Sequence, residues 1–172
     1  MVRRILIKGT SGAGKSTLAR ALARQLDVPF IELDALHHGP CWTAASAADL
    51  RERVLQLLDD PRGWVVDGNY DTKLGTTVID RAELIVWLDL PLSTKLSRLA
   101  RRTARRWLLR EELWNGNRET LRNAFWGADG LFPWMVRSHF HHRRVWPGKL
   151  EGRPLVRLRT PREVEVWLSE LA

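Results

Sequence analysis

A chain of 172 residues, 44% hydrophobic and 28% charged, is the size of one domain with a real core. It holds nothing near the about 20 consecutive apolar residues of a membrane span, and its lone cysteine, Cys41, excludes a disulfide framework. The net charge of +8 lies in one half: residues 1–90 hold 11 Lys/Arg against 12 Asp/Glu, residues 91–172 hold 17 against 8, a balance that suits a polyanionic partner.

The first element is a strand at about 3–8, built on Ile5-Leu6-Ile7. This apolar run is too short for a secretory leader and Lys8 ends it, so a cytoplasmic protein is expected. Gly9-Thr10-Ser11-Gly12-Ala13-Gly14-Lys15-Ser16 then fits the phosphate-loop pattern G-x-x-x-x-G-K-[ST] at every fixed position. Thr17 to Leu26 follows with apolar residues at helical spacing. Strand before and helix after is the setting in which such a loop wraps a polyphosphate, its amides and the helix N-terminus aimed at the oxygens. Gly9, Ser11, Gly12, Ala13, Gly14, Lys15, Ser16 and Thr17 are therefore candidate ATP contacts, with Lys15 on the β- and γ-phosphates and Ser16 on Mg²⁺.

Pro29 to Leu33 reads as the second strand, and Thr43 or Ser46 caps a helix through 47–58 that Pro61-Arg62-Gly63 breaks. Trp64-Val65-Val66 and Leu84 to Leu88 read as strands three and four, the latter a continuous apolar run suited to a sheet interior. An Arg-rich helix is expected at about 93–110, then an irregular to helical stretch to 133, and a helix at about 134–145 ending before Pro147-Gly148. Leu155 to Leu158 is strand five, and a helix from Pro161 to Leu171 closes the chain. Alternating strands and helices argue an α/β class with a parallel sheet covered on both faces.

Ligands of such sheets collect beyond the carboxyl ends of the strands, and three acids fall there: Asp34, Asp67 and Asp89. Asp67, beside Gly68, is the first candidate partner of Mg²⁺; Asp89 is the second, or caps the next helix. Asp34 is the candidate base for an acceptor, or a residue holding the turn that follows. Arg98, Arg101, Arg102, Arg105 and Arg106 recur at i, i+3, i+4, i+7 and i+8, one helical face of like charge that calls for an anion. Arg98 and Arg102 are expected at the transferring phosphoryl group, Arg101 and Arg105 at the nucleotide. His37 and His38 are candidates for the acceptor pocket, and Arg137, Arg143 and Arg144 for further phosphate contacts; the five histidines show no zinc spacing. The nine tryptophans are scattered, as core or lid packing would be.

With these motifs together, the chain resembles the adenylate-kinase-like P-loop proteins often labelled DNA topology modulation proteins, which are similar to nucleoside monophosphate and shikimate kinases. The resemblance is carried by Gly9 to Thr17, Leu33-Asp34-Ala35-Leu36-His37, Trp42, Trp64 to Tyr70, Ile85 to Pro91, Arg98 to Arg106 and Gly116-Asn117-Arg118-Glu119. It implies a P-loop three-layer fold in one domain, 1–172, with a five-stranded parallel sheet of order 2-3-1-4-5. An acceptor-binding segment at 34–60 and an Arg-bearing lid at about 103–133 go with it. It also implies phosphoryl transfer from Mg·ATP to a small-molecule or nucleotide acceptor. Adenylate kinases carry Asp-Gly-Phe-Pro-Arg where this chain has Asp67-Gly68-Asn69-Tyr70-Asp71, so the arginine that meets the monophosphate is absent. The alternative is a nucleic-acid-associated P-loop ATPase or nucleotide-gated binding protein, motivated by the basic second half.

Overall fold

A computed structural model describes residues 2–118 and 130–171. Five strands form one sheet in the order β2-β3-β1-β4-β5: β1 Arg4–Lys8, β2 Phe30–Glu32, β3 Trp64–Asp67, β4 Leu84–Leu88 and β5 Leu155–Leu158. Every pairing is parallel. The class and strand order are those expected from the sequence.

Alternation along the strands divides the core. Ile5, Ile7, Val65, Val86 and Leu88 face one cluster with Leu18, Ala19 and Leu22 of α1 (Lys15–Leu26). Leu6, Val66, Ile85 and Trp87 face the other, with α3 (Ala47–Leu58). Both faces are buried, which is why the strands read as continuous apolar runs.

Short helices the sequence did not foretell are α2 (Leu33–His37), α4 (Asp71–Leu74) and α5 (Thr77–Arg81). They are four or five residues long, too short for a period to show. Ser46, not Thr43, caps α3, its Oγ accepting from the Asp49 amide at 3.1 Å. The Arg-rich helix α6 spans Leu92–Leu108. The next helix among the described residues, α7, runs Leu131–Lys149 straight through Pro147, where an end was expected. Proline there removes one amide from the last turn, and the buried Trp146 and Leu150 on either side anchor the backbone. Helix α8 (Pro161–Glu170) starts at a Thr160 cap and a proline in the first turn. The expected lid falls partly outside the described residues, Glu119 included. Among the described residues no helix is long and apolar enough to cross a membrane.

Candidate functional site

In the sheet order, β1 lies between β3 and β4, so the loop that follows it opens where the chain's crossovers diverge. Gly12 has φ +78°, and a Cβ there would stand 2.3 Å from the Lys95 carbonyl oxygen of α6. Gly14 has φ +94° and serves as the N-cap of α1. Among the described residues no side chain caps α1, and no acid lies in its first turn. Its first amides therefore point out with no intrahelical acceptor, the arrangement that receives an anion.

Beside that turn stands Asp67, 3% exposed at the end of β3. Its Oδ2 accepts from Ser16 Oγ at 2.5 Å and its Oδ1 lies 3.7 Å from Lys15 Nζ. Oδ1 is buried and has no hydrogen-bond donor among the described residues. Burial pushes the Asp67 carboxyl up, against the opposing pull of the Lys15 charge and the Ser16 hydroxyl, and the carboxylates of Asp34 and Glu32 push it further. A buried carboxylate oxygen lacking a donor, next to a serine hydroxyl and an uncapped helix start, is a donor set that fits a magnesium-bound polyphosphate.

Asp89 is placed differently. Its Oδ1 accepts from Arg143 Nε at 2.7 Å and its Oδ2 from Arg157, at 2.7 and 3.1 Å. Both oxygens are thus taken by guanidinium groups, where the sequence offered Asp89 as the second candidate for the metal. Arg143, a candidate phosphate contact, spends its Nε here. Arg157 also lies over the Trp87 ring at 4.1 Å. Below them Lys95 is buried and contacts His139 Nδ1. Burial lowers the Lys95 pKa to about 8, and burial together with the Lys95 charge lowers His139 to about 4.

The arginine stripe divides. Arg98 reaches the phosphate loop, donating to the Ala13 carbonyl at 3.4 Å, and Arg102 and Arg106 are half-buried on the same side. Arg101 and Arg105 are exposed. Arg101 bonds the Ser97 carbonyl of its own helix, and Arg105 pairs with Glu111 at 2.9 Å. These partners lie in α6 and just after it, whereas the sequence offered both arginines to the nucleotide. Five arginines at 100° per residue cover too wide an arc for one surface.

On the acceptor side, Asp34 sits in α2 and its Oδ1 accepts from the Tyr70 hydroxyl at 2.7 Å. The His37 ring tilts against Tyr70 at 4.8 Å, and His38 stacks on Trp114 and meets the edge of Trp42. Burial lowers the pKa of both histidines, and they line a cavity of ≈ 290 Å³ with Leu36, Gly39, Arg53 and Asn115. Two 3-10 turns, Pro40–Trp42 and Trp114–Gly116, clasp each other across it. The buried Asn117 side chain accepts from the Trp42 amide at 2.8 Å and donates to the carbonyls of Gly39 and Trp114. The segment before residue 119 is thereby tied to the segment that follows β2.

Residues 5–61 match the family described as ATPase family associated with various cellular activities (AAA). A shikimate kinase of Chlorobium chlorochromatii is 32% identical over 114 residues, 59% of this chain and 60% of that one. A gluconokinase structure from Sinorhizobium meliloti superposes with TM-score 0.56 at 20% identity, covering 99% of this chain and 93% of the other. A deoxyadenosine kinase structure from M. mycoides superposes with TM-score 0.55 at 14% identity, covering 98% of each. The chain carries a phosphate-loop motif on the fold of these solved structures. It spans 17% to 60% of the length of the curated relatives it matches.

Several residues around this site carried no sequence signal of their own. Lys8 is fully buried and bonds Asp71 at 2.7 Å. Asn69 grips Gly9 twice, accepting from its amide at 3.2 Å and donating to its carbonyl at 2.6 Å. Asn69 and Tyr70 were visible as part of a motif, but their partners lie about sixty and thirty-six positions away.

Proposed function

We propose that this protein is a phosphotransferase that moves the γ-phosphoryl group of Mg·ATP to the hydroxyl of a small molecule. The observation that carries the reading is one five-residue segment. Asp67 stands at Ser16 and Lys15, and three residues on, Tyr70 holds Asp34. A nucleotide gripped by Gly9 to Thr17 is thereby set against a carboxylate on the neighbouring element.

The roles follow from chemistry. Lys15 and the α1 amides bind the β- and γ-phosphates, and Arg98, with Arg102 behind it, approaches from α6. Magnesium, held through Ser16 and Asp67, supplies charge neutralisation on the phosphate oxygens. Asp34 accepts the proton of the acceptor hydroxyl as its oxygen bonds the γ-phosphorus, while the bond from that phosphorus to the β,γ-bridging oxygen breaks and ADP leaves. Segment 34–60 serves as the acceptor arm and 103–133 as a lid that excludes water, within one cytoplasmic domain.

A hydroxyl suits the site better than a phosphate. Asp34 and Glu32 both act electrostatically on Asp67, and a monophosphate would add its own negative charge beside them. ADP release measured over shikimate, gluconate, deoxyadenosine and AMP tests this. Turnover with an alcohol and none with AMP is expected, and Lys15→Ala should cost about 10³-fold. No acceptor-stimulated turnover, or a Lys15→Ala variant as fast as wild type, removes the proposal.

A further inference from the structure

We infer that Tyr70 is the positioning residue for Asp34, its phenol holding Oδ1 so that Oδ2 is presented to the acceptor. The inference rests on the phosphotransferase reading and adds a residue to it. Asp34 lies on a helix of five residues, which gives its side chain little packed support. Tyr70 is the anchored partner. Its carbonyl accepts from the amides of Lys73 and Leu74 at 3.0 and 2.8 Å, pinning it to the start of α4. On either side Asn69 is bonded to Gly9 and Asp71 to Lys8, and the ring packs on the core beneath the sheet.

The segment 67–71 therefore runs as a short rigid bar from donor site to acceptor site. Asp67 fixes its end at Ser16, Asn69 fixes the first residue of the phosphate loop, and Tyr70 reaches across to the carboxylate of Asp34. A proton acceptor must sit within hydrogen-bond reach of the hydroxyl at the moment of attack, and misplacement by about 1 Å costs about 10²-fold. A phenol that constrains one oxygen removes that freedom before substrate arrives. The bland alternative is a buried tyrosine hydroxyl that has merely found an acceptor. Burial first, and then the negative charge of Asp34 and its hydrogen bond, push the Tyr70 pKa well above its ordinary value. Asp67 adds to that push, and the His37 ring faces the phenol.

Tyr70 is the only tyrosine in the chain, so its phenolate absorbance can be titrated without ambiguity. The wild-type phenol is expected to resist ionisation until the chain unfolds, and Asp34→Asn to ionise at lower pH. Titration of the wild type near the ordinary value of about 10, or no difference in Asp34→Asn, overturns the contact. The second measurement is a mutant cycle on turnover, with Mg·ATP and the fastest alcohol of the panel above. Tyr70→Phe should lower kcat about 10- to 100-fold with the KM for ATP unchanged, and should change nothing further in the Asp34→Asn background. Equal losses in both backgrounds reveal a structural role and overturn the inference. A protein that turns over no alcohol loses the phosphotransferase reading and this role with it. One that turns over alcohol with Tyr70→Phe at full rate loses the positioning role alone.

Discussion

Asp67→Asn is expected to slow phosphoryl transfer while making the protein more stable at neutral pH. The carboxylate is 3% exposed, and its Oδ1 has no hydrogen-bond donor among the described residues. A buried charge so poorly compensated is costly to fold around, and a binding site tolerates that cost for its function. Asparagine keeps the shape and an oxygen for Ser16 but removes the charge. Transfer should fall by about 10²- to 10³-fold, the loss typical of one electrostatic contact at a reacting phosphate or carbonyl. Stability without ligand should rise by about 1 kcal/mol, roughly 2–4 °C in Tm for a chain of this length.

The pH dependence fixes the cause. Burial, against the pull of Lys15, raises the folded-state pKa of Asp67 above its ordinary 3.8. The folded wild type therefore takes up a proton at a pH where the unfolded chain is still ionised, and gains stability as pH falls through that raised value. The advantage of the variant should be full above the raised pKa and gone near pH 3.8. Thermal unfolding of both proteins across this range measures it. A variant less stable than wild type at neutral pH means that the attraction of Lys15 outweighs burial.

The phosphate loop was legible because its requirements are local. Gly12 and Gly14 sit at positive φ, and one cannot carry a Cβ for want of room against α6. The strands were legible because both sheet faces are buried. Choosing between Asp67 and Asp89 was beyond the sequence, since the two differ in who reaches them. Ser16 and Lys15 find Asp67, while Arg143 and Arg157, fifty-four and sixty-eight positions away, occupy Asp89. The arginine stripe was half legible. Helical spacing put the five residues on one side, but which of them meets the loop depends on how α6 is rolled, and the buried Lys95, Leu99 and Thr103 decide that. Lys95 itself gave no hint of burial. Its carbonyl packs on Gly12, and its ammonium belongs to a cluster assembled from β4, α6 and α7.

Lys8 was the residue the sequence most misled about, read as the polar end of an apolar run, and it supports the second large prediction. Its side chain is 0% exposed, its ammonium bonds Asp71 Oδ1 at 2.7 Å and lies 4.8 Å from the Trp146 ring centre. Lys149 bonds the other oxygen of Asp71 at 2.9 Å. Burial alone would raise Asp71, yet Lys8 and Lys149 hold its carboxyl below the ordinary value. Asp71→Ala strands the Lys8 charge in the core, and such losses run to about 3–5 kcal/mol. Burial already lowers Lys8 from 10.5, and Asp71 opposes that shift, so removing Asp71 lowers the pKa further. In the variant the unfolded chain then binds a proton that the folded chain has shed, over the interval up to 10.5. Stability must rise with pH there, and the deficit should shrink on going alkaline. Lys8→Met combined with Asp71→Ala removes both charges while retaining the volume beside Trp146, and should regain most of the loss. Calorimetric titration with Mg·ATP separates scaffold from ligand contact. Lys8 adjoins Gly9 but is sealed from solvent, so the double variant should recover nucleotide affinity along with stability. Stability recovered with affinity still lost would instead place the Lys8 charge among the forces that hold the phosphates.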